Sequence, residues 1–379
     1  MSSACWRACS FARTTLCQRQ RILVEQRSWF RRVSGKIERV EAEVWSNNGS
    51  KNSTAKHAPF TRSSILRKMY KPFLFTVGFS ACSFGAAAIW QYESLKNQMK
   101  NYLDDIRADW LEKTRLAKHG DFRKQVNEWW NSLSDGKRTV SDLIWNTVSR
   151  SVHPTLKRHR QTGASSEKSY QDGIIVANIL VFCLWRVPNM QRIMARYFTS
   201  NPASHNLCLP MVLSTFSHFS FYHLAANMYV LWTFSSTVVS ILGPEQFLAL
   251  YLSAGVVSSF TSYVCKAATG NFHPSLGASG AIMTVLGLVC TKMPEVKLAI
   301  IFLPMFTFTA GNAIKVILAL DSVGLLLRWK FFDHAAHLGG ALFGIWYALY
   351  GHELIWKKRE PLVKIWHEFR SRPRRSGGS

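Results

Sequence analysis

The sequence predicts an all-α polytopic membrane protein, with a six-helix core and one extra transmembrane helix ahead of that core. Two observations support this prediction. The stretch 211–328 contains eight charged residues among 118, and the stretch 72–92 contains none. Backbone groups that face lipid must be hydrogen-bonded within their own segment, so apolar runs in this setting are predicted to be helices. A soluble all-α core is the alternative, but six successive runs without a polar face argue against it.

Seven apolar runs define the predicted spans, one before a long polar region and six after it. They lie at 72–92, 173–187, 220–242, 246–265, 279–293, within 306–327 and at 334–351. Breaker pairs such as Gly243-Pro244 and Met293-Pro294 separate neighbouring runs. A helix of about 20 apolar residues crosses a hydrocarbon layer of ~30 Å, and several of these runs have that length.

The rest of the chain divides by charge and polarity. Residues 1–36 carry eight Arg or Lys and one acid, without the apolar centre of a secretory signal. This pattern is typical of a mitochondrial transit peptide, and a disordered basic tail is the alternative. The predicted segments are a transit-peptide-like segment at 1–46, a polar linker or processing region at 47–70, the extra transmembrane helix at 71–92, a polar connecting loop with amphipathic helices at 93–172, the six-span core at 173–352 and a basic C-terminal tail at 353–379.

The formal net charge of +25 lies mostly in the segments that flank the core. A charge of this size suits a polyanion, a membrane surface or a targeting sequence. Because no nucleic-acid-binding motif accompanies it, we expect the lipid bilayer and a mitochondrial address, and no nucleic acid, to account for the charge.

Ser279 is the first candidate functional residue inside the predicted core. Polar groups within a membrane are costly unless they are satisfied, so each one marks a candidate site. Ser279 follows a breaker-rich stretch at 271–275, lies between Gly277 and Gly280, and opens an apolar run. Free backbone N–H groups at a helix N-terminus favour negative charge, which suits a nucleophile whose product is an oxyanion. The alternative is an N-cap serine between glycines that pack helices.

His337 is the candidate partner of that serine. It precedes Gly340 and Gly344, whose spacing gives a small-residue face on which two helices can approach closely. Histidine is the usual group that takes the proton from a serine hydroxyl. A structural hydrogen bond is the alternative role for this side chain.

His223 and Asn227 form a third candidate group. They are four residues apart at the start of the run 220–242 and therefore share one helix face. Both side chains can donate hydrogen bonds to a developing oxyanion, and polar contact between helices is the alternative. His218, five residues earlier, is expected at the membrane interface.

His334 lies three residues before His337 and raises the question of a metal site. No HExxH motif is present, so we expect no metal and no other cofactor. Asp333 is a candidate carboxylate for orienting His337, whereas Asp321 is expected at a helix end or in a loop.

The order of these motifs resembles the rhomboid family of intramembrane serine proteases. The motifs that carry the resemblance are His218, His223-x-x-x-Asn227, Gly277-Ala278-Ser279-Gly280 and Ala336-His337-Leu338-Gly339-Gly340. The resemblance covers roughly 67–140 and 173–370 and implies the six-span core fold, with an extra helix ahead of it.

The resemblance also implies roles for the candidate residues. Ser279 would be the nucleophile, His337 the general base and acid, and His223 and Asn227 would form the oxyanion hole with the Ser279 N–H. The glycines implied to pack the two catalytic helices are Gly277, Gly280, Gly340 and Gly344. The implied substrates are single-span membrane proteins, which for mitochondrial members include a kinase and a phosphatase with such anchors. No metal or other cofactor is implied.

One stretch departs from the family pattern. In the family, the residues resembling 138–140 run almost directly into the first core span, whereas here the polar stretch 141–172 intervenes. The uncharged part of that span, 173–185, gives about 20 Å of helix against a ~30 Å layer. We therefore predict an insertion at 141–172 that weakens this span, so that it thins the bilayer, extends Arg186 to the surface or recruits residues before Asp172.

The sequence as a whole predicts a mitochondrial inner-membrane protease that acts through a Ser279–His337 dyad and an acyl-enzyme. The run within 306–327 is the predicted lateral gate for substrate. A rhomboid-like protein that binds membrane helices with little or no catalysis is one alternative. A polytopic transporter is another, although the inverted repeats typical of transporters are not evident.

The membrane orientation remains open at this stage. Both the N-terminal region and the tail are basic, and the positive-inside rule would place both on the same side. Seven spans would place them on opposite sides.

Overall fold

The computed structural model describes residues 69–116, 156–300, 303–329 and 332–371. The predicted segment 1–46 lies outside the described residues, as do most of the linker 47–70 and part of the predicted insertion 141–172. Helices dominate the described part, whose strands form one two-stranded antiparallel hairpin. The all-α polytopic class is confirmed, with this hairpin as a local exception.

The described elements follow one another along the chain with short connections. The helices are α1 (Tyr70–Leu116), α2 (Leu156–Leu184), α3 (Gln191–Tyr197), α4 (Cys208–Leu213), α5 (Phe221–Leu242), α6 (Pro244–Thr269), α7 (Ser279–Lys292), α8 (Ala310–Leu326), α9 (His334–Trp346) and α10 (Glu360–Ser371). The hairpin comprises β1 (Lys297–Ile300) and β2 (Leu303–Thr309). A π-helical segment, Tyr347–Trp356, continues α9 toward the C-terminus.

Three described helices are long and apolar enough to cross a bilayer, namely the first part of α1 (Tyr70–Asp105), α5 and α6. The apolar end of α2 and the short segment Pro188–Tyr197 pass the same test only together, and they are bent by 100° at the break between them. Helix α7 is apolar but has 14 residues. The count of seven spans therefore stays a prediction.

The run predicted within 306–327 is only partly helical. It is helical from Ala310 onward, whereas Phe306 and Phe308 lie on β2. The alternation Phe306-Thr307-Phe308-Thr309 has the period of a strand, and its backbone pairs with β1 through Leu298↔Phe308. A helix through the whole run was the wrong prediction, and the role of this region as a gate stays a prediction.

The first core span is longer than its uncharged part suggests. Helix α2 begins at Leu156, well before Gly173, so residues from the polar stretch extend it. At its other end the Arg186 guanidinium lies 4.5 Å from the Phe182 ring centroid and 5.5 Å from that of Phe219. It also donates a hydrogen bond to the Phe219 carbonyl at 2.8 Å. The short apolar segment is thus extended by helix at one end and held by a cation–π contact at the other.

Helix α1 packs antiparallel to α6. Near the start of α1, the Phe73 ring lies 5.8 Å from the ring of Phe260, in the C-terminal half of α6. Farther along α1, Gln91 approaches Gly243, which immediately precedes α6. The two ends of the apolar part of α1 therefore lie at opposite ends of α6.

The C-terminal helix α10 folds back on the far end of α1. The Trp366 indole N–H donates to a Glu93 carboxylate oxygen at 2.8 Å, and Arg370 pairs with the same carboxylate. Arg359, just before α10, donates to the Gln91 side-chain oxygen at 3.0 Å. These contacts fix the described part of the tail beside the end of α1 that is remote from Phe73.

Candidate active site

Ser279 and His337 meet between two helices that are far apart in sequence. Ser279 is the first residue of α7, and His337 lies in the first turn of α9. The Ser279 Oγ is 2.8 Å from the His337 Nε2, and the histidine is buried. The hydroxyl and the imidazole therefore have the contact that transfer of the serine proton needs.

Small residues allow these two helices to touch at their backbones. A Cβ added to Gly340 would collide with the Gly280 carbonyl, and one added to Gly344 would collide with the Thr284 carbonyl. The Thr284 hydroxyl donates to the Gly340 carbonyl at 2.7 Å across the same interface. The contact between α7 and α9 is therefore set by main chain rather than by side-chain packing.

The loop that leads into α7 is shaped by Gly277. This residue has φ +138°, a conformation that favours glycine, and a Cβ there would lie 2.8 Å from the His223 ring. The Gly277 N–H donates to the Ser214 carbonyl at 2.9 Å, and the Ala278 N–H donates to the His218 Nε2 at 3.3 Å. His218 is fully buried, so its expected position at the membrane interface was wrong. Its role here is to hold the loop.

His223 lies beside Ser279, as the position that the two share against Gly277 shows. The Cβ position of Gly277 is 3.3 Å from the His223 Nε2 and 3.7 Å from the Ser279 Oγ. Asn227 is buried one turn farther along α5, and its Nδ2 donates to the His223 carbonyl at 2.8 Å. An amide NH₂ has two hydrogens, so this bond leaves Asn227 one N–H to donate elsewhere.

Asp333 caps α9 and does not reach the imidazole of His337. Its Oδ1 accepts from the Ala336 N–H at 3.1 Å, and its Oδ2 accepts from the Ser262 hydroxyl at 2.5 Å. Lys266 lies 3.0 Å from that Oδ2 and also donates to the Ser275 hydroxyl at 2.7 Å. Asp333 therefore ties the start of α9 to α6 and to the loop before α7. The alternative in which it orients His337 was wrong.

The electrostatic effect of this network is clear at Asp333, which precedes the span formed by α9. Burial alone raises the pKa of the Asp333 carboxyl, but the Lys266 ammonium and the Ser262 hydroxyl outweigh burial and hold that pKa below its usual range. Asp333 is therefore ionised, and a charged carboxylate accepts stronger hydrogen bonds than a neutral one.

Asp321 was placed wrongly by sequence reasoning. It lies inside α8 rather than at its end, and it is buried. Its Oδ1 is 2.7 Å from the His334 Nδ1 and 3.4 Å from the His337 Nδ1. The signal that marks it was present in the sequence, because Asp321 is the single acid in an otherwise apolar helix.

Phe332 is a second residue near the site that the sequence did not single out. Its ring centroid lies 5.9 Å from that of His337, and its side chain is exposed. Among the residues that the structure describes, no group of three His, Cys, Asp or Glu side chains is arranged to hold a metal ion.

The Asp333 network gives a test of stability. Ser262→Ala removes one hydrogen bond to a charged carboxylate while the bonds from Ala336 and Lys266 remain. We expect the free energy of unfolding to fall by about 1.5–3 kcal/mol, as is typical of hydrogen bonds to charged groups. Thermal unfolding in detergent measures the change. Ser259→Ala is the matched control on the same helix, because its hydroxyl donates to a neutral carbonyl at 3.3 Å. Equal losses in the two variants would contradict the importance assigned to the carboxylate.

Comparisons with known proteins agree with this arrangement. Residues 206–354 match the family model described as the Rhomboid domain. The "Presenilin-associated rhomboid-like protein, mitochondrial" of Mus musculus is 57% identical over 371 residues, which cover 96% of this chain and 90% of that protein. "Rhomboid protein 1, mitochondrial" of Saccharomyces cerevisiae is 34% identical over 48% of this chain and 53% of its own length. "Rhomboid protease GluP" of Bacillus subtilis is 34% identical over 38% of this chain and 25% of its own length.

Proposed function

The chain belongs to the rhomboid family, and from this premise we propose that it is an intramembrane serine protease of the mitochondrial inner membrane. The proposed reaction is hydrolysis of a peptide bond in or near the transmembrane helix of a single-span protein. The observation that carries the proposal is the 2.8 Å contact between the Ser279 Oγ and the His337 Nε2. The mitochondrial names of the Mus musculus and Saccharomyces cerevisiae relatives support the location.

Acylation uses the two groups together. The His337 Nε2 takes the hydroxyl proton while the Ser279 Oγ attacks the carbonyl carbon of the substrate, giving a tetrahedral oxyanion. The Ser279 N–H at the start of α7 and the side-chain N–H groups of His223 and Asn227 are the proposed donors to that oxyanion. When the C–N bond breaks, His337 gives the proton to the departing amine and Ser279 holds the acyl group.

Deacylation repeats these steps with water. His337 takes a proton from a water molecule, whose oxygen attacks the acyl carbon. The second tetrahedral intermediate then collapses, the proton returns to the Ser279 Oγ and the carboxylic acid product leaves. The site therefore needs access to water at one end of α7, and the exposed Phe332 lies where the His337 side of the site meets that access.

The proposed substrates are single-span membrane proteins. An intact helix buries its peptide carbonyls in hydrogen bonds, so the substrate segment must unwind locally before Ser279 can attack. By family resemblance, a kinase and a phosphatase of mitochondrial membranes that carry such anchors are the proposed partners. The bilayer itself is the medium in which substrate and enzyme meet.

Labelling with a fluorophosphonate probe tests the proposed nucleophile. The purified protein is expected to be labelled covalently, because the probe reacts with an activated serine. Ser279→Ala is expected to abolish labelling and His337→Ala to slow it strongly, since the serine then lacks its base. Ser240→Ala, which changes an exposed serine on α5, is the matched control and is expected to label as the wild type does. Labelling of Ser279→Ala to the wild-type extent would rule out this serine as the nucleophile, as a transporter or an inactive family member would predict.

A further inference from the structure

Asp321 is a buried carboxylate in the middle of an apolar helix. It is the single acid in α8 and its side chain is 8% exposed. Burying a charge in such surroundings is costly unless that charge is paired and hydrogen-bonded. The partners that the structure gives it are two histidines of α9, at 2.7 Å for the His334 Nδ1 and 3.4 Å for the His337 Nδ1.

The carboxylate is held by His334 in a place built for that ring. A Cβ on Gly324, one turn along α8 from Asp321, would lie 2.6 Å from the Cε1 and Nε2 atoms of His334. Glycine at this position therefore leaves the space that the imidazole fills. The His334 Nε2 is buried and has no hydrogen-bond partner among the described residues, so its Nδ1 contact with Asp321 is the polar contact that fixes the ring.

His337 lies between Asp321 and the serine. Its Nε2 is 2.8 Å from the Ser279 Oγ, and its Nδ1 is 3.4 Å from the Asp321 Oδ1. To accept the serine proton, the imidazole must carry its hydrogen on Nδ1 and leave Nε2 free. A carboxylate facing Nδ1 favours that tautomer, and it stabilises the imidazolium that forms when the serine attacks.

We propose that Asp321 is a positioning residue for His337, held in place by His334, so that the Ser–His dyad acts with the support of a carboxylate from α8. The proposal rests on the proposed protease function. It concerns the orientation and tautomer of the base, and it assigns Asp321 no contact with substrate. A purely structural ion pair between α8 and α9 is the competing explanation.

The test compares Asp321→Asn with wild type in liposomes that contain a single-span reporter. We expect kcat to fall by about 10- to 100-fold, less than the ~10⁴-fold loss seen when a soluble serine protease loses its triad carboxylate, because the 3.4 Å contact is long. The KM for the reporter and the midpoint of thermal unfolding are expected to stay at wild-type values. The rate of fluorophosphonate labelling is expected to fall by the same factor as kcat, because the probe reports activation of the serine without a substrate helix.

Two further variants separate positioning from structure. Asp321→Glu keeps the carboxylate and is expected to recover part of the lost kcat. Ser322→Ala, at the next position of α8, is the matched control and is expected to behave as wild type. If Asp321→Asn fails to fold, His334→Gln is measured instead, since it removes the group that holds the carboxylate and should lower kcat without changing KM.

Wild-type kcat in Asp321→Asn, or in His334→Gln where that variant replaces it, would overturn the proposal. A loss of kcat that tracks a loss of thermal stability and that Asp321→Glu does not relieve would also overturn it, in favour of the structural ion pair. Failure of the protease function itself is distinguishable, because the reporter would then be cut at equal rates by wild type and Ser279→Ala.

Discussion

Alanine at Ser279 or at His337 is expected to lower the rate of cleavage of a single-span reporter in liposomes by about 10⁶-fold, to the level of the background. Each change removes one of the two groups joined by the 2.8 Å contact. Without Ser279 there is no acyl-enzyme, and without His337 the hydroxyl keeps its proton at neutral pH. Because the two groups act as a unit, the double variant is expected to be no slower than either single variant.

The measurement is the appearance of the cleaved reporter over time, with equal amounts of folded protein in each liposome preparation. Ser240→Ala is the control for loss of a serine hydroxyl away from the site, since that side chain is exposed and donates to the Thr237 carbonyl of its own helix. Undiminished cleavage by either Ser279→Ala or His337→Ala would refute the assignment of the dyad.

Valine at Gly340 is expected to remove most of the activity while both catalytic residues remain in the sequence. The Cβ of any larger residue would collide with the Gly280 carbonyl, and that carbonyl belongs to a helix backbone that cannot rotate aside. The helices α7 and α9 must then separate, which lengthens the contact between Ser279 and His337. A displacement of about 1 Å in a reacting pair costs on the order of 100-fold in rate.

The same substitution is expected to destabilise the fold by about 1–3 kcal/mol, the usual range for overpacking a close contact. Reporter cleavage in liposomes and thermal unfolding in detergent measure the two effects separately. Gly78→Val is the matched control, because a Cβ at Gly78 would have no heavy atom within 4 Å. Wild-type cleavage by Gly340→Val would show that the backbone contact is not needed for catalysis.

Much of the candidate site could be predicted because each residue is unusual for its local sequence. Ser279 breaks an apolar run just after a glycine-rich turn, and the structure places it at the start of α7 as expected. The spacing of Gly340 and Gly344 predicted a close helix contact, and the structure shows both of them against carbonyls of α7. These are local signals, in which the periodicity of one helix or the chemistry of one turn is sufficient.

Other features depended on contacts between segments and were missed for that reason. An aspartate in an apolar run is equally consistent with a helix end and with a buried pair, and only the packing of α8 on α9 brings Asp321 to His334 and His337. The buried position of His218 likewise depends on the distant Ala278 N–H. The hairpin at 297–309 was hidden because a short apolar run has the same composition in a strand as in a helix.

The antiparallel packing of α1 on α6 determines which parts of the protein share an aqueous compartment. Phe73 lies beside the end of α6 that leads, through the loop held by Lys266 and Ser275, to Ser279, whereas α10 is bound at the opposite end, beside Gln91 and Glu93. In a bilayer, the loop before the catalytic serine and the start of α1 would therefore face one compartment, and the C-terminal helix would face the other. The two basic ends of the chain then lie on opposite sides, so charge alone does not set the topology. A reagent or protein confined to the compartment of α10 would reach the tail without reaching the entrance to the loop before Ser279.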